Sequence, residues 1–237
     1  MTISQTVHFL KDRFTDSLPA LLIRRLCDEV GHQWRDRDLN PVVTTHLFLQ
    51  QILHGNTAAS HLRHLSGLSF TDSAYCQARQ RLPQALLDRL QRVVTGQLRA
   101  EAEADRSTLW HGHRAFLLDG SSFSMPDTPA LQKQFGQPSN QAPGCGFPLA
   151  HLMVLCDAAE GYLLQTEATP LCTHDLPRAP AMHQALRPGD VLVGDRAFAS
   201  YAHLALCARN GIHGLFRVHQ SQIVNFQPHR RDRKSVV

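Results

Sequence analysis

Apolar residues recur at helical spacing through roughly the first hundred positions and at strand spacing beyond them. Asn40-Pro41 has the form of a helix start, with asparagine as N-cap and proline preorganised for the first turn. Val43, Leu47, Leu49, Ile52 and Leu53 then follow the helical period, and Gly55 ends the run. A shorter helix is predicted from about Thr57 to Leu65, before Gly67. In the segment FTDSAYCQARQRLP, Thr71 or Asp72 caps a helix with Tyr75, Arg79 and Leu82 on one side, and Pro83 closes it. A last helix, Gln84 to about Ala104, carries Leu86, Leu87, Leu90, Val93, Val94 and Leu98 at i, i+3/i+4 spacing.

Past Arg106 the period changes. RAFLLDGSSFSM (114–125) reads as a strand, followed by a long Pro/Gly/Gln/Asn-rich stretch to Pro148. That stretch is too long for a passive connection and is expected to be a substrate-facing loop; it holds no P-loop pattern. LAHLMVLCDAA (149–159) and GYLLQTEATP (161–170) predict two strands joined by a hairpin turn at Glu160-Gly161. A helix over 175–186, a strand DVLVGD (190–195), a helix over 199–210 stopped by Gly211 and a strand IHGLFRVH (212–219) complete the order βββαβαβ. The expected division is a helical domain over 1–105, an α/β domain over 106–220 and a tail over 221–237.

Composition narrows the classes. The chain has 237 residues, 43% apolar and 19% charged, which excludes disorder, collagen-like repeats and coiled coil. No run approaches the roughly 18 apolar residues of a membrane helix. The apolar run Pro19–Ile23 meets Arg24 and Arg25 at once and has no small-residue cleavage site, so a secretory signal is not expected. A net charge of +4 does not by itself announce nucleic acid. The basic residues are nearly all arginine, with Lys11, Lys133 and Lys234 the lysines; this suits phosphate but also follows from GC-rich coding. Cys27, Cys76, Cys145, Cys156, Cys172 and Cys207 form no CxxC pair and are expected to be reduced, several of them in the core. Among fifteen histidines, His111/His113 and Cys172/His174 have ligand-like spacing, but neither pair has a second at finger-like distance, so structural zinc is not expected.

Two carboxylates interrupt apolar strands. Asp119 lies inside AFLLDGSSF, where burial of its charge would cost several kcal/mol without a cation or hydrogen-bond donors. Asp195 ends DVLVGD. Two strands each delivering one carboxylate suit a hard divalent cation. The other reading is that Asp119-Gly120 and Gly194-Asp195 are turn residues at strand ends. Ser121 and Ser122 lack the flanking glycines of a nucleophile elbow. His174-Asp175 is most simply a helix N-cap.

Four blocks, FTDSAYCQARQRLP, LLDGSSFSMPDTP, QPSNQAPGCGFP and LRPGDVLVGDRAFASY, together resemble DDE transposases of the insertion-sequence-4 type over roughly residues 65–220. The resemblance implies a ribonuclease H-like mixed sheet behind the helical N-terminal domain, with the first and fourth strands side by side. It makes Asp119 and Asp195 the first two acids of the DDE triad and ligands of Mg2+ or Mn2+ in a two-metal site, with the ions ~3.5–4 Å apart. The implied activity is metal-dependent strand cleavage and transfer at transposon ends, that is, DNA transposition and recombination. The implied partners are double-stranded DNA (terminal inverted repeats and target) and a second copy in a synaptic dimer, in a bacterial-type cytoplasm near the nucleoid. Arg196 and Arg217 are candidates for holding a DNA phosphate near the metals, and Arg79 and Arg81 for a basic helix face on DNA; a structural ion pair or helix packing is the plain alternative for each.

The family's third acid, a glutamate in Y-x2-R-x3-E-x6-K, has no counterpart: no YxxRxxxE occurs in the chain. The end, HRRDRKSVV, reads as a truncated gene product or a basic tail. With two acids of three, the chain alone is expected to be catalytically silent or nearly so. The competing reading is a non-catalytic DNA-binding transposase remnant, recognised by salt-dependent duplex affinity without metal-dependent turnover.

Overall fold

The computed structural model describes residues 18–138, 142, 146–170 and 178–218. It forms two compact units, Met1–Gln97 and Leu98–Val237, divided within a long helix.

In the first unit α1 (Ala20–Glu29), α2 (Pro41–Leu53), α3 (Ala59–Ser66) and α4 (Asp72–Arg81) are followed by α5 (Gln84–Ala104), which runs on into the second. The caps form as the sequence dictates. Asn40 Oδ1 accepts from the Val42 and Val43 amides at 3.0 and 3.1 Å, and Thr71 Oγ1 accepts from Ala74 N at 3.1 Å. Two small apolar clusters hold the unit, one built on Ile23, Leu26, Cys27, Val42, Leu86 and Leu90, the other on Leu47, Leu62, Phe70 and Tyr75.

The second unit is a five-stranded mixed sheet of β1 (Ala115–Ser124), β2 (Leu149–Asp157), β3 (Leu163–Pro170), β4 (Val191–Gly194) and β5 (His213–Phe216). Its order is β3-β2-β1-β4-β5. The first three strands pair antiparallel; β4 pairs parallel to β1, and β5 parallel to β4. This is the mixed α/β architecture expected of a ribonuclease H-like domain, with the first and fourth strands adjacent. Between the strands lie α6 (Pro129–Phe135), α7 (Ala179–Met182) with a 3-10 turn His183–Ala185, and α8 (Tyr201–Arg209). Phe116 and Leu118 of β1 pack with Met153, Leu155, Met182, Leu192, Phe198, Cys207 and Ile212 in one buried cluster.

Two expectations change. The 125–148 stretch contains a helix, α6, started by Thr128 Oγ1 accepting from Leu131 N and by Pro129 at its first position. No α6 residue is fully buried, and in seven residues the helical spacing rests on the single pair Leu131 and Phe135, too short a stretch to announce a helix. Of the helix expected over 175–186, the described part is the short α7 and its 3-10 turn; 171–177 and the tail 221–237 lie outside the described residues. The described cysteines are free, with Cys27 and Cys207 buried in the core and Cys76 exposed.

Candidate functional site

The register of three parallel strand ends defines the site. Leu118 of β1 lies opposite Gly194 of β4, and Gly194 lies opposite Phe216 of β5. The next residue on each chain is Asp119, Asp195 and Arg217, so these three follow one another across neighbouring strands, which are ~4.8 Å apart in a sheet. Pairing between β1 and β4 stops at Leu118, whereas β1 continues against β2 as far as Ser124. Asp119 therefore follows the last residue of β1 that pairs with β4, at the carboxyl ends of β4 and β5, where the strand order changes direction, the usual position for sites in such sheets.

Asp119 is exposed, and its expected burial cost does not arise. Strand alternation turns Phe116 and Leu118 into the core and leaves Leu117 and Asp119 outside. The Asp119 carboxylate accepts the Gly120 amide through Oδ1 at 2.8 Å. Asp195 is exposed as well and caps a 3-10 turn, Arg196–Phe198, with Oδ1 accepting from Ala197 N at 2.8 Å. Among the described residues neither carboxylate has an ion-pair partner. Each carboxylate is thus anchored to the backbone through one oxygen, on an exposed residue.

The turn after Asp195 is fixed from behind. Phe198 is buried, and Gly194 makes room for it: a Cβ there would sit 3.0 Å from the Phe198 ring and 3.1 Å from that of Phe216. The Phe198 carbonyl accepts from His203 Nδ1 at 2.9 Å. His203 Nε2 lies 2.9 Å from His183 Nε2, and His183 Nδ1 lies 3.2 Å from Asn210 Nδ2. These contacts assign the tautomers of the neutral pair. The Asn210 amide donates to His183 Nδ1, His183 Nε2–H donates to His203 Nε2, and His203 Nδ1–H donates to Phe198. Burial holds both imidazoles below the usual histidine range, joined at His183 by the field of His203.

Cys207 Sγ lies 3.7 Å from His183 Nε2, so the two histidines and this thiol make a buried cluster of potential soft-metal ligands. The rings meet end to end, with centroids 5.0 Å apart and planes 22° from parallel. That alignment points the two nitrogens at each other and away from a common ion, as in an N–H···N hydrogen bond. Sequence reasoning missed the cluster because its members come from separate elements. Of the pairs singled out by spacing, His113 Nδ1 is 2.7 Å from the Gly189 carbonyl and its ring packs edge-on against His213. Cys172 and His174 lie outside the described residues.

Arg196 and Arg217 are exposed and without an ion-pair partner among the described residues; the Arg217 amide donates to the Gly194 carbonyl at 3.3 Å. Tyr201, at the start of α8, is 89% exposed. Ser121 and Ser122 are paired strand residues, opposite Leu152 and His151, and form no elbow. In the helical unit Arg79 is engaged within the fold: its guanidinium donates to Gln51 Oε1 at 3.0 Å and lies over the Phe48 and Tyr75 rings. Tyr75 O–H donates to the same oxygen at 2.7 Å. Arg81 borders a cavity instead.

The second unit is thus a mixed sheet in the order 3-2-1-4-5, of the ribonuclease H-like kind, with Asp119 and Asp195 following the paired ends of two adjacent strands. Residues 110–237, more than half of the chain, match the transposase DDE domain family, and the chain belongs to it. No curated protein matches. Among solved structures, the chain is similar to the Mos1 transposase paired-end complex with left transposon end, at 12% identity and TM-score 0.31, covering 77% of this chain and 60% of that one. It is also similar to the Mos1 strand transfer complex, at 14% identity and TM-score 0.31, covering 82% and 65%. A third likeness is to the Mos1 mariner paired-end complex with Mn, at 13% identity and TM-score 0.30, covering 91% and 78%. The chain thus spans less than two thirds of the first two Mos1 chains. The family match, and not these low scores, places the chain.

Proposed function

We propose that the chain is the transposase of an insertion sequence of the insertion-sequence-4 type, acting on double-stranded DNA at transposon ends by metal-dependent strand cleavage and transfer. The observation that carries this reading is the adjacency of Asp119, Asp195 and Arg217, each following the last residue of its strand in the parallel pairing of β1, β4 and β5. Two exposed carboxylates with free oxygens match the oxygen-only preference of Mg2+ or Mn2+. Bound there, such ions would activate water and neutralise the attacking and leaving oxygens of phosphoryl transfer. Asp119 and Asp195 hold them from fixed backbone, since each has one oxygen tied to an amide. Arg196 and Arg217 hold the negative charge of the scissile phosphate by planar two-point hydrogen bonding. Arg81 and the rest of the helical unit contribute affinity for duplex DNA, and a second copy joins in synapsis of two ends, in the bacterial-type cytoplasm where the chromosome lies.

The absence of a Y-x2-R-x3-E signature from the sequence supports a second statement: the chain by itself turns over little or not at all. The same observation favours the second reading, a non-catalytic remnant that occupies transposon ends. Both are tested by Mn2+-dependent cleavage of a duplex carrying the terminal inverted repeats, using the chain as it stands and a version extended along its reading frame. The transposase reading expects cleavage by the extended protein and its loss in Asp119→Ala and Asp195→Ala. Extended protein that cleaves as well without Asp119 overturns the assigned site. Salt-dependent binding with no turnover in any version supports the remnant.

A further inference from the structure

The helical unit holds a cavity of about 320 Å3 between the 32–39 segment, the start of α2 and the end of α4. Three arginines, Arg35, Arg37 and Arg81, line it together with His32 and Trp34, and no carboxylate does. The acidic residues that alternate with them in the sequence, Asp36 and Asp38, are not part of the lining; the Asp36 carboxylate accepts from Asn40 Nδ2 at 3.5 Å. None of the three arginines has an ion-pair partner among the described residues, although Arg25, Arg63 and Arg89 of the same unit each do. The α2 amino terminus borders the cavity through Pro41 and Thr44, adding the positive end of a helix dipole. The α4 carboxyl terminus borders it too, with the opposite sign. A helix end is equivalent to about half a charge, so the two ends roughly cancel and the full charges lining the cavity are the three guanidinium groups. Their planar forks match phosphate oxygens.

We propose that this cavity is a phosphate-binding site, taking the phosphodiester oxygens of a nucleic acid backbone or the phosphates of a free phosphorylated ligand. The nucleic acid source rests on the function proposed above; the oxyanion chemistry does not. Unlike Arg79, which is spent on Gln51 and two aromatic rings, Arg35, Arg37 and Arg81 are left free for a ligand. Trp34, stacked on His32 with ring centroids 5.8 Å apart, is a built-in reporter, since the chain has two tryptophans and the other, Trp110, belongs to the sheet unit.

The test uses the full chain with Trp110→Phe, so that emission comes from Trp34 alone, in metal-free buffer. It is titrated with inorganic pyrophosphate and, separately, with a 20-base-pair duplex over a range of salt. The expected result is a saturable change in emission with pyrophosphate that vanishes in the Arg35→Ala/Arg37→Ala double variant. A duplex that produces the same change identifies the DNA backbone as the source, and pyrophosphate acting alone identifies a free phosphorylated ligand. If DNA is the source, loss of two phosphate contacts lowers the slope of log affinity against log salt by about 2, so that raising salt from 50 to 200 mM costs the double variant roughly tenfold less affinity than the parent chain. Arg37→Lys keeps the charge, so the slope is expected to survive while the pyrophosphate response weakens. Arg24→Ala, an exposed arginine outside the cavity, is expected to leave the pyrophosphate response unchanged, and far-ultraviolet circular dichroism confirms that each variant is folded. Emission unmoved by both probes, or a response that persists in the double variant, overturns the proposal. No metal and neither aspartate enters this assay, so its failure leaves the cleavage reading standing, and the failure of cleavage leaves the cavity standing.

Discussion

Replacing Asp157 by asparagine is the most informative perturbation of the sheet unit. Asp157 ends β2, is 1% exposed, and gathers three tethers on two oxygens. Oδ1 accepts from the Ala159 and Glu160 amides at 2.9 and 2.8 Å, closing the hairpin turn to β3. Oδ2 accepts from Arg114 Nη1 at 3.2 Å. Arg114, 8% exposed, immediately precedes β1 and donates its other nitrogen to the Ala102 carbonyl in α5. Asparagine keeps the shape but takes away the charge, leaving a guanidinium buried without its counter-ion. Breaking a buried pair in this way costs about 3–5 kcal/mol, whereas replacing both partners by apolar groups of similar volume is often nearly neutral. The assay is urea unfolding of the full chain carrying Trp34→Phe, so that Trp110 reports on the sheet unit alone. Asp157→Asn is expected to lose about 3–5 kcal/mol and Arg114→Met/Asp157→Leu considerably less than the sum of the two single changes. A loss under about 1 kcal/mol for Asp157→Asn, or a double variant as costly as that sum, refutes the reasoning.

Leu118→Ala empties a position that is 2% exposed and is expected to cost about 2–5 kcal/mol; Leu117→Ala, one residue earlier and 41% exposed, should cost far less in the same urea assay. Gly194→Ala sets a methyl between the Phe198 and Phe216 rings and is expected to cost about 1–3 kcal/mol, read as a fall in Tm. The depressed imidazoles of His183 and His203 make stability pH-dependent: below the ordinary histidine value of 6.5 the unfolded chain binds protons that the folded pair refuses. Stability is therefore full above that value and falls as pH drops through and below it. Tm measured between pH 7.5 and 5.5 should show this decline, and it should flatten in His183→Gln.

The parts of the fold legible in the sequence were those with a local cause. Asn40 announced a cap that forms, and of the two candidates Thr71 and Asp72 the first is the cap; α5 has the expected bounds because its apolar period runs from Leu86 to Leu98. The helix α6 was hidden because it is seven residues long and none of them is fully buried. The strands could be placed by period, but the spatial adjacency of β1 and β4 came from a family resemblance, since parallel neighbours far apart in sequence leave no local mark. The same limit applies to the candidate site. Asp119 and Asp195 stood out as charges in apolar runs, although Asp119 proved to be exposed through strand alternation. The His183–His203–Phe198 chain behind the Asp195 turn, and the cavity of Arg35, Arg37 and Arg81, join separate elements, and no spacing rule reaches them.

In the proposed function Asp119 and Asp195 hold divalent cations in common. Crystals of the full chain soaked in Mn2+ and measured for anomalous scattering test it most directly. The account predicts density within coordination distance of both carboxylates, lost in Asp119→Asn. Mn2+ bound elsewhere while both carboxylates stay free, or side chains more than about a dozen ångströms apart against the ~4 Å of a shared metal pair, would contradict it.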